Sequence, residues 1–199
     1  MTTITHNIKR FATPFLVLGI ALTISPIGAL AQNGHMHTAP APMAQDQLGD
    51  AATLIATVRA ATERFSNVAV AEAEGYALQF GCVTGDEVGA MGLHYINGNI
   101  VGSGILDPTR PQIIIYEPIP GGGLKMTGVD FLVFADDWDK KNSAPPQLMG
   151  QLFHLFPSPN RFGLPAFYTL HVWAWKDNPN GAFTNWHPNV SCQSFAPKK

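Results

Sequence analysis

Charge is scarce in this chain. Only 13% of its 199 residues are Asp, Glu, Lys or Arg, and nowhere do Lys and Arg gather into a basic stripe interleaved with aromatics. A nucleic-acid surface needs such a cluster to displace phosphate counterions, so nucleic acid is excluded as a partner. Cysteine is scarcer still, with Cys82 and Cys192 alone. The absence of C-x-x-C argues against a redox-active pair and leaves a structural disulfide as the simplest use of two distant thiols. No G-x-G-x-x-G is present, and Gly121-Gly122-Gly123, between Pro120 and Leu124, reads as a hairpin connection because no helix-forming run follows it. No G-x-S-x-G elbow occurs, and Ser103 sits in a Gly102-Ser-Gly104 turn, so serine hydrolysis has little support. The domain also lacks H-x-H, H-E-x-x-H and any His–Cys cluster. There is no internal repeat.

One long apolar run is present, at the start. Lys9 and Arg10 precede an uncharged stretch from Phe11 to Leu30, rich in Leu, Ile, Val, Ala and Phe and interrupted by Pro14, Gly19 and Pro26. Ala29-Leu30-Ala31 supplies small residues where a signal peptidase cuts. Residues 1–31 therefore read as a secretory signal, cleaved after Ala31, in preference to a retained anchor. Removal of Lys9 and Arg10 leaves ten basic side chains against fourteen acidic ones. The expected destination is periplasmic or extracellular, with no stable membrane insertion after cleavage. In that oxidising setting a Cys82–Cys192 bond closes a loop of about 110 residues and restricts the unfolded chain by roughly 4–5 kcal/mol.

Residues 32–48 carry Pro40, Pro42 and almost no large apolar side chain, and read as a flexible linker. His35 and His37 in it suit a solvated tail better than an amino-terminal copper site, which needs His third where His35 is fourth. A single globular domain follows over 49–199. Asp50 fits a helix N-cap, and Leu54, Ile55, Val58, Ala61, Thr62 and Phe65 recur at helical spacing. A second short helix is expected over about Val68–Glu74, stopped at Gly75. Strands are expected at Tyr76–Val83, Gly89–Ile96, Ile113–Glu117, Val129–Ala135 and Ala166–Trp175, separated by Gly, Pro, Asn and Asp clusters. Pro145-Pro146 precedes a short helix expected around Gln147–Phe153, and Pro157–Pro165 reads as a long loop. Without β-helix-β alternation, the expected class is α+β: an antiparallel sheet or partly closed β-barrel with N-terminal helices packed on one side.

Four polar residues lie inside apolar strand-like text, where an unpaired polar group costs about 1–3 kcal/mol. They are His94 in Met91-Gly-Leu-His-Tyr-Ile96, Glu117 closing Ile113-Ile-Ile-Tyr-Glu117, His154 in Gln151-Leu-Phe-His-Leu-Phe156, and His171 in Tyr168-Thr-Leu-His-Val-Trp173. Any one such histidine is often only a core residue donating to a carbonyl. Three imidazoles and a carboxylate converging in one apolar pocket would suit zinc, iron, copper or manganese. On that reading His94, Glu117, His154 and His171 are the metal ligands, and Glu117 and His171 the catalytic pair; metal-free acid–base chemistry between them is the variant. Asp130, ahead of the run Phe131–Phe134, is placed near a pocket mouth. Asp136, Asp137 and Asp139 around Trp138 read as a solvated turn, lacking the spacing and Gly of a calcium loop. Phe167, Tyr168, Trp173, Trp175, Phe183 and Trp186, with Asn185 and His187 beside them, suit either a barrel core or a pocket for a flat or sugar-like ligand. Two functions follow: an exported protein whose His/Glu site holds one metal ion and acts on a small organic molecule, or a non-enzymatic module binding a small ligand in an aromatic pocket.

The pieces Ala71-Glu-Ala-Glu-Gly-Tyr76, Gly89-Ala-Met-Gly-Leu-His-Tyr-Ile-Asn97, Ile115-Tyr-Glu-Pro118, Gly150-Gln-Leu-Phe-His154, Tyr168-Thr-Leu-His-Val-Trp173 and Asn185-Trp-His-Pro-Asn-Val-Ser-Cys192 together resemble a group of exported bacterial proteins. The resemblance covers most of the domain. It implies export and assigns no activity or residue roles. Cupin-type metal barrels also join three histidines and a glutamate, but with two histidines close in sequence; only the ligand inventory is shared.

Overall fold

A computed structural model describes residues 45–196. The expected signal peptide, the tract containing His35 and His37, and linker residues 32–44 lie outside the described residues. The first described element is helix α1, Gln45–Thr62. It begins ahead of Asp50, because the text before Gly49 holds no helix breaker back to Gln45 and a single interior Gly is tolerated. Leu54, Val58 and Thr62 are buried on one stripe, while Arg59 and Ala60 are exposed. A 3₁₀ turn, Glu63–Ser66, buries Phe65. Asn67 caps α2, Val68–Ala73, accepting from the Ala69 N–H, and Gly75 ends it at φ +92°.

The sheet follows. Its strands are β1 (Ala77–Gly85), β2 (Gly89–Ile96), β3 (Ile113–Ile119), β4 (Gly123–Phe134), the short pair β5 (Gln147–Leu148) and β6 (Gln151–Leu152), β7 (His154–Phe156) and β8 (Phe167–Val172), with small helices α3 (Gly98–Ser103) and α4 (Ala135–Asp139) between them. Six strands pair in the order β1-β2-β3-β4-β8-β7, every ladder antiparallel. The sheet curls into a half-barrel with α1 near it, an α+β fold.

Further details depart from the sequence reading. The stretch expected as a helix over Gln147–Phe153 is the hairpin β5–β6, turning through Met149 at φ +45° and Gly150 at φ +75°. A two-residue turn with both residues at positive φ matches the twist of paired strands, and helical periodicity over seven residues cannot outweigh it. The acidic residues after β4 form α4, where Asp139 accepts from the Tyr168 hydroxyl at 3.2 Å. The glycine triplet behaves as expected, joining β3 to β4 with Gly121 and Gly122 both at φ +88°.

Strand alternation sends side chains to two separate cores. On one face Leu93, Tyr95, Ile114, Tyr116, Phe131 and Leu170 pack with Leu54, Val58 and Phe65 of the helical layer. Hydroxyls fasten this layer: Tyr116 donates to the Phe65 carbonyl and Tyr76 to that of Pro111, each at 2.7 Å. Trp175 Nε1 donates to Thr62 Oγ1 at 3.2 Å. The opposite face gathers Ala90, Ile113, Ile115, Leu132, Phe167, Trp173 and Val190. Cys82 and Cys192 form the expected disulfide, pinning β1 to the C-terminal segment. Among the described residues no helix is long and apolar enough to cross a membrane.

Candidate metal centre

The second face carries the polar residues. Register places Ile96 opposite Ile113, Ile113 opposite Asp130, and Asp130 opposite His171, so one row crosses β2, β3, β4 and β8. His94 stands two positions from that row, opposite Ile115, which faces Gly128. In a flat sheet β2 and β8 would lie roughly 14 Å apart, three steps of about 4.8 Å. The curl closes this gap: the His94 and His171 ring centroids are 5.8 Å apart, their planes at 79°. Gly128 keeps the neighbouring strands close, since a Cβ there would meet the Val172 carbonyl oxygen at 2.4 Å.

His94, Asp130 and His171 each present a ligand atom within 4.8 Å of the other two, and the group could hold a metal ion. All three are buried, with 5%, 3% and 2% of their surfaces exposed. Ligand atoms around one tetrahedral ion lie roughly 3.3–3.6 Å apart for bonds of about 2.0–2.2 Å, so each atom need move inward by less than about 1 Å.

The local chemistry matches the donor set. His94 Nδ1 is 3.3 Å from the Gly92 carbonyl; a carbonyl only accepts, so Nδ1 carries the proton and Nε2 keeps its lone pair. Burial, reinforced by His171, pushes His94 down to about 4. Burial followed by the charge of His154 pushes His171 down to about 3. Both imidazoles are therefore neutral at pH 7, the form that ligates. Burial raises the Asp130 carboxyl to about 6, opposed by its hydrogen bond from Thr169 and by His94. It is mostly ionised at pH 7. Thr169 Oγ1 donates to Asp130 Oδ1 at 2.5 Å and orients it.

His171 is the anomaly. Among the described residues neither of its ring nitrogens has a hydrogen bond of ordinary geometry; the Asn185 side chain lies close enough to favour the protonated ring, yet its own buried Oδ1 is likewise unpartnered. Its Nδ1 lies 3.6 Å from Asp130 Oδ1, beyond hydrogen-bond distance. Its ring stacks at 5.9 Å on Trp173, whose other neighbour is His187 at 4.9 Å. Buried imidazoles are nearly always bonded, so an orphaned one beside a carboxylate fits a ligand-binding role. The three residues border a cavity of about 30 Å³, walled by Met91, Ile96, Ile113, Leu132 and Phe167.

Of the four residues predicted as ligands, the structure brings His94 and His171 together. His154 is exposed on the edge strand β7, opposite Thr169. Glu117 accepts from Lys176 Nζ at 2.6 Å and from the Ser191 N–H at 3.1 Å. Both stand outside the three-residue group, and Asp130 supplies its carboxylate. The sequence signal for Asp130 was present: an acid inside an unbroken apolar run. It reads as a strand-edge residue only if β4 begins at Val129; β4 begins at Gly123 and places Asp130 mid-strand. The aromatic cluster near the C-terminus divides between the cores, Phe167 and Trp173 on the cavity face, Tyr168, Trp175 and Phe183 on the other. No family model, curated protein or solved structure compared with the chain matches it.

Proposed function

We propose that the chain is an exported protein, of the bacterial group its motifs resemble, whose His94, Asp130 and His171 hold one divalent transition metal ion that acts on a small organic molecule. The supporting observation is the orphaned His171 ring facing a buried carboxylate. Two imidazoles and one carboxylate leave open positions for a substrate, a set suited to iron(II) or zinc and compatible with manganese or copper. When bound, the ion supplies Lewis-acid polarisation or an activated water. The chain supplies the rest: Thr169 orients the carboxylate, the Gly92 carbonyl fixes the His94 tautomer, and the apolar walls exclude bulk water.

Export rests on the leader-like residues 1–31 and agrees with the Cys82–Cys192 bond. Cobalt(II) titration of the mature protein, followed by its visible absorption, tests the metal reading. One ion per chain is expected, lost in His171→Ala and retained in His154→Ala and Glu117→Gln. A wild-type protein that takes up no cobalt, zinc or iron(II) ends it. The aromatic mouth around Phe80 and Phe162 favours the second reading, a binding module without turnover; ligand-induced thermal shifts unaffected by chelator would select it.

A further inference from the structure

The mouth of this cavity is unusual in its backbone. β1 departs from its register with β2 between Gln79 and Cys82, and the two residues in the gap are Phe80 and Gly81. Phe80 has φ +62°, a region that bulky residues rarely occupy and that strains the backbone. The ring so placed gains little burial in return, remaining 47% exposed. It borders the same cavity as His94, Asp130 and His171. Opposite stands Phe162, on the segment linking β7 to β8, with ring centroids 5.3 Å apart. Arg161 donates to the Thr84 carbonyl at 2.9 Å, holding that segment across to β1. Phe162 also meets Phe156 and Phe167 at 6.4 and 6.2 Å. A strained, half-exposed aromatic at the entrance to a buried polar group serves the entrance better than the fold.

Size and chemistry then define the occupant. A space of about 30 Å³ exceeds the roughly 10–15 Å³ that a water needs and is about a tenth of the smallest pockets that enclose whole ligands, roughly 300 Å³. Only the polar head of a ligand enters it, so the ligand's body must lie outward, against the touching rings of Phe80 and Phe162. Among the described residues the lining holds no charged side chain besides Asp130 and the two imidazoles, and its one hydroxyl, Thr169, is already given to Asp130. Nothing there would compensate a charged or multiply hydroxylated body for losing water.

We infer that the site takes a neutral small molecule with one hydroxyl or carbonyl oxygen on an apolar, ring-sized body, and that Phe80 and Phe162 select it. The inference rests on the metal reading only for what receives the oxygen, the ion or, without one, the His171 ring. Three probes with the same hydroxyl head and different bodies test it: benzyl alcohol, glycerol and 2-aminoethanol. They are titrated into the mature protein, cobalt-loaded by visible absorption and metal-free by thermal shift. Benzyl alcohol is expected to bind at least about tenfold more tightly than the other two. Phe80→Gly relieves the positive φ, so it folds, and is expected to weaken benzyl alcohol about tenfold while leaving cobalt uptake unchanged; Phe162→Ala behaves likewise. Equal affinities for the three probes, or no loss in Phe80→Gly, overturn the selection whether or not cobalt binds. Absent cobalt uptake with benzyl alcohol still preferred overturns the metal reading alone.

Discussion

Asp130 and His171 face each other across β4 and β8 with Oδ1 and Nδ1 3.6 Å apart, and both are almost wholly withdrawn from solvent. The distance is too long for a hydrogen bond and short enough for one small body bonded to both. Burying a carboxylate without a paired charge is unfavourable. That cost becomes useful when a cation occupies the gap.

Asp130→Asn separates these two effects. The substitution keeps the shape and the acceptor for Thr169 while removing the buried charge. The metal-free variant is expected to be no less stable than wild type at pH 7 in urea unfolding. Cobalt affinity is expected to fall by about 100-fold or more, since even outer partners of metal ligands are worth about 10–100-fold. Undiminished uptake would remove Asp130 from the centre.

Acid should destabilise the metal-free protein in a defined window. His94 and His171 titrate near 4 and 3 when folded and near 6.5 otherwise. Their contribution is whole above pH 6.5 and is lost as pH falls towards 4, because the unfolded chain binds the protons. Asp130, raised from 3.8 to about 6, acts in the opposite direction over that range. Two groups against one leave a net loss of about 1.4 kcal/mol per pH unit between roughly pH 6 and 4. In His94→Leu one histidine balances one carboxylate, and the slope across that window should be shallower by about the same amount. An unchanged slope would mean that the rings are not buried neutral.

Gly128→Ala places a methyl against the Val172 carbonyl, 2.4 Å from its oxygen. Backbone cannot yield as a side-chain tip does, so β4 and β8 must separate. A loss of about 1–3 kcal/mol or more is expected, together with weaker cobalt binding because Asp130 and His171 lie on those two strands. A variant with full stability and full uptake would show that the strands have slack.

Replacing Cys82 and Cys192 together by Ser releases a loop whose ends are 110 residues apart in sequence. Chemical denaturation should show a loss of about 2–5 kcal/mol, and dithiothreitol should lower wild type to the same level. Cobalt uptake by the folded fraction should be retained, since neither cysteine lines the cavity that the three ligands border. Insensitivity to reductant would contradict the clasp.

Much of the architecture was legible because local rules carried it. The α1 stripe through Leu54, Val58 and Thr62, the stop at Gly75 and the turn at Gly121-Gly122 each follow from residues within a few positions of one another. So does the choice of antiparallel sheet over β-helix-β units. The hairpin at Met149-Gly150 was not legible, because a methionine at positive φ leaves no compositional mark.

The sequence by itself determined that polar groups would be trapped: His94, Asp130 and His171 each sit in an apolar strand, and alternation gives each a face. Which of them meet was decided by the tertiary structure alone. Glu117 and His154 carry the same sequence signal, yet one is paired with Lys176 and the other stands on an exposed edge. The physical reason is curvature. Only the inward curl of the sheet brings rings on β2 and β8 within 5.8 Å, and curl is summed over every strand, so no single stretch of text records it.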